Sequence, residues 1–357
     1  MKTREQIDQL LQYIKGQFAE TVVVDEDALY KSYEQTENNH SMAIKILSVF
    51  GGILGSLTFI GFLFLAGIYD SGVGMIVTGI LLMVASIWLN KEFDTILLDT
   101  ASISAFLISL VLIGTGMTSL EVNYNITLIL FTVISFILIL FVHNYIFAFI
   151  AALVINGCVL MLLGTNEMFD LIHFWVAGLT ALLLMLFLKE EKLLAHFKDH
   201  IDLYKPLRIA LILSLLFCLY MLTRAGLFPL NASLFWLSSL IMLAGILYTL
   251  RPLLHTMDIS EKKQQYIVYA ATILLLVPTA PSPSIMGSLL ILLLSYHSNY
   301  KTGTAIGIIS FIYALGQYYY DLHFTLLTKS MLMFTSGLLF LGLYFISHKK
   351  LSADEIN

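Results

Sequence analysis

Seventeen of the 19 lysines and arginines in this 357-residue chain fall on alternate connections between about a dozen apolar runs. Runs of roughly 17–25 apolar residues have the length of a helix that crosses the hydrocarbon core. An excess of Lys and Arg on one set of connections sets the orientation of such a chain. A cytoplasmic N-terminus places Lys91, the five basic residues from Lys189 to Arg208, Arg251, Lys262, Lys263, Lys301, Lys349 and Lys350 in the cytoplasm, together with the five basic residues before the first run. Only Arg224 and Lys329 then lie outside. Composition agrees with the membrane assignment, because 59% of the residues are apolar and 12% charged, where a soluble domain carries about 25% charged residues. The expected fold class is therefore all-α, a polytopic transmembrane helical bundle of about 12 spans, with both termini in the cytoplasm.

Residues 1–45 read as a cytoplasmic amphipathic helical module, followed by a transmembrane domain over 46–347 and a short tail over 348–357. The first 45 residues carry 13 charged side chains, which excludes the apolar core of a cleaved signal peptide and makes the first span an uncleaved anchor. Ile7, Leu10, Leu11, Ile14 and Phe18 recur at helical spacing, after a Thr3–Gln6 pair that resembles a capping box. The polar face is mixed in charge, so packing on the protein's own loops or on a partner suits this stripe better than a lipid-surface anchor. A central polar stretch at 189–208 divides the spans six and six. Gly51 with Gly55 and Gly303 with Gly307 stand four apart, a spacing that lets helix backbones approach closely in lipid.

Ten spans are full length. The remaining pair, Tyr266–Val277 and Ile285–Tyr296, is short, and between its members lie Pro278, Pro281 and Pro283, a candidate helix break. The pair either forms an ordinary hairpin with a stiff turn or re-enters the membrane with its tip buried in protein. The interior polar groups of the spans are expected to be Asn156, hydroxyls and the thiols of Cys158 and Cys218, with no ionisable group near a span's centre. That disfavours a proton-coupled pump, which needs such a group at depth. The cations Arg224 and Lys329 stand against the orientation bias. Lys329 and Asp321 read as a structural ion pair, or Lys329 and Arg224 as an extracytoplasmic site for an anionic headgroup or solute.

Glu167, Asp170 and His173 follow at three-residue spacing near Trp175, and His196 and His200 stand four apart with Phe197 between them. Spacing of three suits metal ligands, but one His with two carboxylates at an interface reads as solvated decoration, and for His196 and His200 a zinc-hydrolase helix would place Glu where Phe197 stands. No catalytic motif is recognisable, so no catalytic residue, metal or cofactor is expected. With no basic patch interleaved with aromatics, nucleic acid is not an expected partner.

From Pro281 onward the chain carries Tyr318-Tyr319-Tyr320-Asp321-Leu322, then Thr325-Leu326-Leu327 with Lys329-Ser330, then Gly337-Leu338-Leu339. In these residues, with the Ala280-Pro281 pair, it resembles the uncharacterised bacterial membrane-protein family called domain-of-unknown-function family 4401. The resemblance implies an integral inner-membrane protein and places Asp321 and Lys329 in a common element. Three function classes stay open: a non-catalytic component acting with membrane or cytoplasmic protein partners in the lipid bilayer, a transporter or channel for a small solute or lipid headgroup, and a membrane-embedded enzyme. The first is favoured.

Overall fold

The computed structural model describes residues 42–92, 96–141, 144–190, 201–223, 236–256 and 261–321, and single positions 193, 330, 331, 334, 338 and 341. Residues 1–41 of the expected 1–45 module lie outside the described residues, and 42–45 belong to the first described helix; most of the last expected span, Leu327–Ile346, also lies outside. Eleven α-helices are described: α1 Met42–Leu65, α2 Gly72–Glu92, α3 Ile96–Ser119, α4 Tyr124–Phe141, α5 Tyr145–Thr165, α6 Ile172–Leu188, α7 Ile201–Thr223, α8 Trp236–Thr256, α9 Lys262–Leu276, α10 Pro283–His297 and α11 Lys301–Asp321.

Seven helices among the described residues, and not 12, are long and apolar enough to cross a membrane: α2, α3 from Thr100, α4, α5, α6 with the turn before it, α7 from Leu203, and α8. Two physical reasons account for much of the difference. Helices α9 and α10 contain 15 residues each, so each rises about 22 Å at 1.5 Å per residue, short of the hydrocarbon thickness. Helix α11 has 21 residues but carries Lys301, Gln317, three tyrosines and Asp321 near its ends. The chain is a multi-helix membrane protein.

The chain divides into two compact units. The first contains residues up to Asp70 and 78–109. Helix α1 ends where Gly67 takes a left-handed backbone, φ 70°, and the short 3₁₀ turn Ile68–Asp70 follows. Leu63, Met83 and Phe106 are buried in this unit. Two of its buried hydroxyls bond back along their own helices: Ser86 Oγ donates to the Met83 carbonyl and Ser109 Oγ to the Phe106 carbonyl.

The second unit holds residues 71–77 and everything from 110 onward. Its core is built from α5, α6, α7, α8 and α10, and Ile172, Leu183, Leu215, Leu219, Met242 and Leu290 are buried within it. Helix α7 packs on α5, α6 and α10, and α8 packs on α6 and α10, while α4 pairs with α5 and α11 with α10. The α4–α5 pair is tied at one end by reciprocal amide bonds: Asn125 Nδ2 donates to Asn166 Oδ1 at 2.8 Å, and Asn166 Nδ2 to Asn125 Oδ1 at 3.1 Å.

Local chemistry sets several helix ends. Asn144 caps α5, its Oδ1 accepting from the amides of Ile146 and Phe147. Pro283 opens α10, where its missing N–H costs nothing. Helices α3, α5 and α10 are each followed by a left-handed residue that is not glycine: Glu121, Glu167 and Asn299. At each, the next residue's amide reaches back to close the last turn, as Tyr300 N does to the Ser295 carbonyl at 2.8 Å. This is the Schellman arrangement.

Glycine matters most where α2 meets α3 within the second unit. A Cβ on Gly116 would lie 2.8 Å from the Gly72 carbonyl oxygen and 3.1 Å from the Ile76 amide nitrogen. Both obstacles are backbone, so a local side-chain shift cannot relieve the clash. Gly116→Ala should lower stability by about 1–3 kcal/mol, the usual cost of overpacking. Gly164→Ala, where the added carbon would meet nothing within 4 Å, should leave the melting temperature in detergent unchanged or raised.

Candidate functional site

Helix α7 begins at Ile201, so Arg208 is the eighth residue of a helix and not the end of a connecting loop. It is buried, with 7% of its surface exposed. Tyr204 lies one turn earlier on the same face, and Arg208 Nη1 donates to its hydroxyl at 3.2 Å. The Tyr204 hydroxyl in turn donates to the Leu186 carbonyl at 3.0 Å, one of the acceptors that the last turn of α6 leaves without an intrahelical partner. Three rings enclose the guanidinium carbon: Tyr300 with its centroid at 3.6 Å, Tyr204 at 4.9 Å and Phe187 at 5.2 Å. Phe187 and Tyr300 also meet edge to face. The Schellman turn after α10 brings Tyr300 to this position, immediately before α11.

Glu190 supplies the only described carboxylate in ion-pair range of Arg208, Oε2 to Nη1 at 3.7 Å, and its side chain is one-third exposed. A partly solvated pair at that distance contributes less than about 1 kcal/mol. Each desolvated cation–π contact contributes about 0.5–2 kcal/mol, so the three rings and the Tyr204 hydroxyl together outweigh the carboxylate. Arginine suits this setting because its planar, weakly hydrated head stacks on aromatic faces, which an ammonium does less well. Arg208 Nε is buried and has no hydrogen-bond partner among the described residues.

A second polar group occupies the other end of the same helices. His173, fully buried in the first turn of α6, shares a 2.6 Å hydrogen bond between Nδ1 and Ser238 Oγ of α8. Ser239 Oγ donates to the Ala280 carbonyl. Ser284 Oγ bonds with Thr223 Oγ1 and donates to the Leu219 carbonyl, and the Tyr318 hydroxyl donates to the Pro278 carbonyl at 3.0 Å. These bonds hold the segment in which the helix is interrupted: Pro278 lies in the 3₁₀ turn Val277–Thr279, Pro281 in the turn after it, and Pro283 at the start of α10. Between the two ends, Asn156 Oδ1 of α5 accepts from Trp175 Nε1 of α6 at 2.7 Å and from the Cys218 thiol of α7 at 3.5 Å.

Of the residues singled out in the sequence, Arg224 and Lys329 lie outside the described residues, and Asp321 is the last residue of α11, its side chain outside the description. His196 and His200 also lie outside it. Glu167 and His173 do not meet at a common mouth: Glu167 is exposed in the turn after α5, whereas His173 is buried against Ser238, with Asp170 half-buried in the turn just before α6. Among the described residues no group of three His, Cys, Asp or Glu side chains could hold a metal ion. Sequence reasoning missed Arg208 and His173 as interior polar groups. The legible signal for Arg208 was the tyrosine four residues earlier. Lys205 and Pro206 stand between them and read as the end of a loop, because proline inside a helix removes a backbone donor.

A family model described as a domain of unknown function, DUF4401, matches residues 41–350. The chain belongs to this family. All eleven described helices of this DUF4401 protein fall inside the matched segment, as do the Arg208 group and the Pro278–Pro283 turn. No curated protein and no solved structure matches it.

The three rings and the carboxylate can be ranked by substitution. Tyr300→Leu should cost about 1–2 kcal/mol, the loss of the closest ring face, and Glu190→Gln less than about 1 kcal/mol. Arg208→Lys should destabilise more than Glu190→Gln. Thermal melts of the purified protein in detergent give the order, and a larger loss for Glu190→Gln than for Tyr300→Leu would assign the guanidinium to the carboxylate.

Proposed function

We propose that this protein is a non-catalytic component of a bacterial cytoplasmic membrane that acts with partner proteins, its termini and the connection between α6 and α7 lying in the cytoplasm. One observation carries the reading. The most conspicuous polar side chains inside the second unit are paired across helices: Arg208 with Tyr204 and Tyr300, Asn156 with Trp175 and Cys218, His173 with Ser238, Ser284 with Thr223. Each pair joins two or more segments, as polar groups between membrane helices do. Groups spent on holding the bundle together suit a scaffold. Orientation is supported by the 17-to-2 distribution of basic residues, and the cytoplasmic segments carry the charged surface that a soluble or membrane partner would meet.

The test uses the whole chain in native membranes and an amine-reactive crosslinker that does not cross lipid. In inverted vesicles the lysines of the cytoplasmic segments should link the chain to one protein at a fixed ratio, and tagging that protein should retrieve this chain in return. Intact spheroplasts, which offer the reagent only Lys329 on this orientation, should give little linkage. Crosslinking confined to spheroplasts would reverse the orientation. A chain that stays unlinked or linked only to itself in both preparations, and that moves solute across reconstituted vesicles, would contradict the partner reading.

A further inference from the structure

A cavity of about 540 Å³ opens between the ends of α6, α8 and the start of α9. Its lining carries three basic side chains from two helix ends: Lys189, which follows the last residue of α6, and Arg251 and His255 from the last two turns of α8. Tyr248, Tyr269 and Gln265 add hydroxyl and amide groups, and no acidic side chain among the described residues lines it. The nearest carboxylate along α6, that of Glu190, is directed to Arg208 at 3.7 Å. Among the described residues the side chains of Lys189, Arg251 and His255 form no ion pair or hydrogen bond with one another or with any neighbour.

Three basic side chains at helix C-termini have an ordinary explanation in the helix dipole, which favours a cation in the last turn. The dipole does not require them to share one concave space. Nor does it explain Pro252, also in the lining. Proline inside α8 has no N–H for the carbonyl four residues earlier, which belongs to Tyr248, another lining residue. The Tyr248 carbonyl therefore lacks its usual intrahelical donor.

Depth identifies the class of ligand. Lys189 stands one residue past the apolar stretch Phe169–Leu188, and Arg251 and His255 stand within five residues of the end of Trp236–Thr256. Basic residues at that level meet the phosphates of a leaflet, and basic pockets between membrane helices recognise anionic headgroups. The outer surface of α9 beyond the cavity is apolar, with Ile267 and Leu274 exposed, so acyl chains can extend from a headgroup seated in the cavity. We infer that the Lys189–Arg251–His255 cavity binds a phosphate group, as presented by an anionic phospholipid headgroup. The inference does not depend on the orientation of the protein or on its having a partner.

Native mass spectrometry of the full chain, released from nanodiscs of equal phosphatidylglycerol and phosphatidylcholine, tests it. Wild type should keep one phosphatidylglycerol in strong preference to phosphatidylcholine. Lys189→Gln with Arg251→Gln should reduce that adduct about tenfold at an unchanged melting temperature, whereas Lys301→Gln, an exposed cation outside the cavity, should keep it. A second arm adds millimolar inorganic phosphate. Loss of the lipid adduct would identify the site as one for free phosphate as well, and its persistence would identify the lipid as the ligand; both support a phosphate site. An adduct that survives the double substitution unchanged, or equal retention of the two lipids, would overturn the inference. So would loss of the adduct in Lys301→Gln to the same extent, which would assign it to charge at that end of the bundle in general.

Discussion

A helix in hydrocarbon satisfies its own backbone but offers nothing to a polar side chain that faces inward, so each such side chain must find a partner on its own helix or on a neighbour. The second unit follows from that constraint. Hydroxyls with a carbonyl one turn away bond along their own helix, as Thr180 does to Val176 and Thr249 to Gly245. The side chains with no such local option, Asn156, His173 and Arg208, connect helices instead. They sit at three levels of the same group of helices, and around them the core of α5, α6, α7, α8 and α10 is filled by leucine, isoleucine and methionine.

Arg208 is the most demanding of the three. A guanidinium away from water costs several kcal/mol unless its environment compensates, and here the compensation arrives from three separate stretches of chain. Phe187 comes from the end of α6 and Tyr204 from α7 itself. Tyr300 comes from the turn after α10. That turn depends on Asn299 holding a left-handed backbone, φ 50°, which asparagine tolerates better than most residues. A local backbone preference thus places the ring that lies closest to the buried charge.

Much of the helical layout was legible in the apolar runs. The run Val73–Leu89 becomes α2 from Gly72 to Glu92, and Tyr145–Leu163 becomes α5 from Tyr145 to Thr165, because little except helix length and lipid sets those limits. The short proline-separated pair was legible too, though its helices extend past the apolar runs: α9 begins in the polar Lys262-Lys263-Gln264-Gln265 stretch. What could not be read was which polar residues face inward. His173 follows two acidic residues at regular spacing and looks solvated, yet α6 turns it towards Ser238, 65 residues away. Arg208 follows a proline and looks like the edge of a loop. In both cases the deciding contact comes from a distant segment, and hydropathy contains no record of it.

The interior of the second unit is dry at the level of Asn156, whose side chain is taken up by Trp175 and Cys218, although the buried Ser135, Ser282 and Ser295 hydroxyls have no partner among the described residues. Its native thiols report on that directly. Cys218 is fully buried against Asn156, and Cys158 is buried two residues further along α5 from Asn156. N-ethylmaleimide added to membranes containing the unaltered protein, followed by mass spectrometry of the intact chain, should give no adduct at either thiol until detergent denaturation, and two adducts after it. Rapid modification of Cys218 in the folded protein would show water reaching the Asn156 level and would contradict the claim.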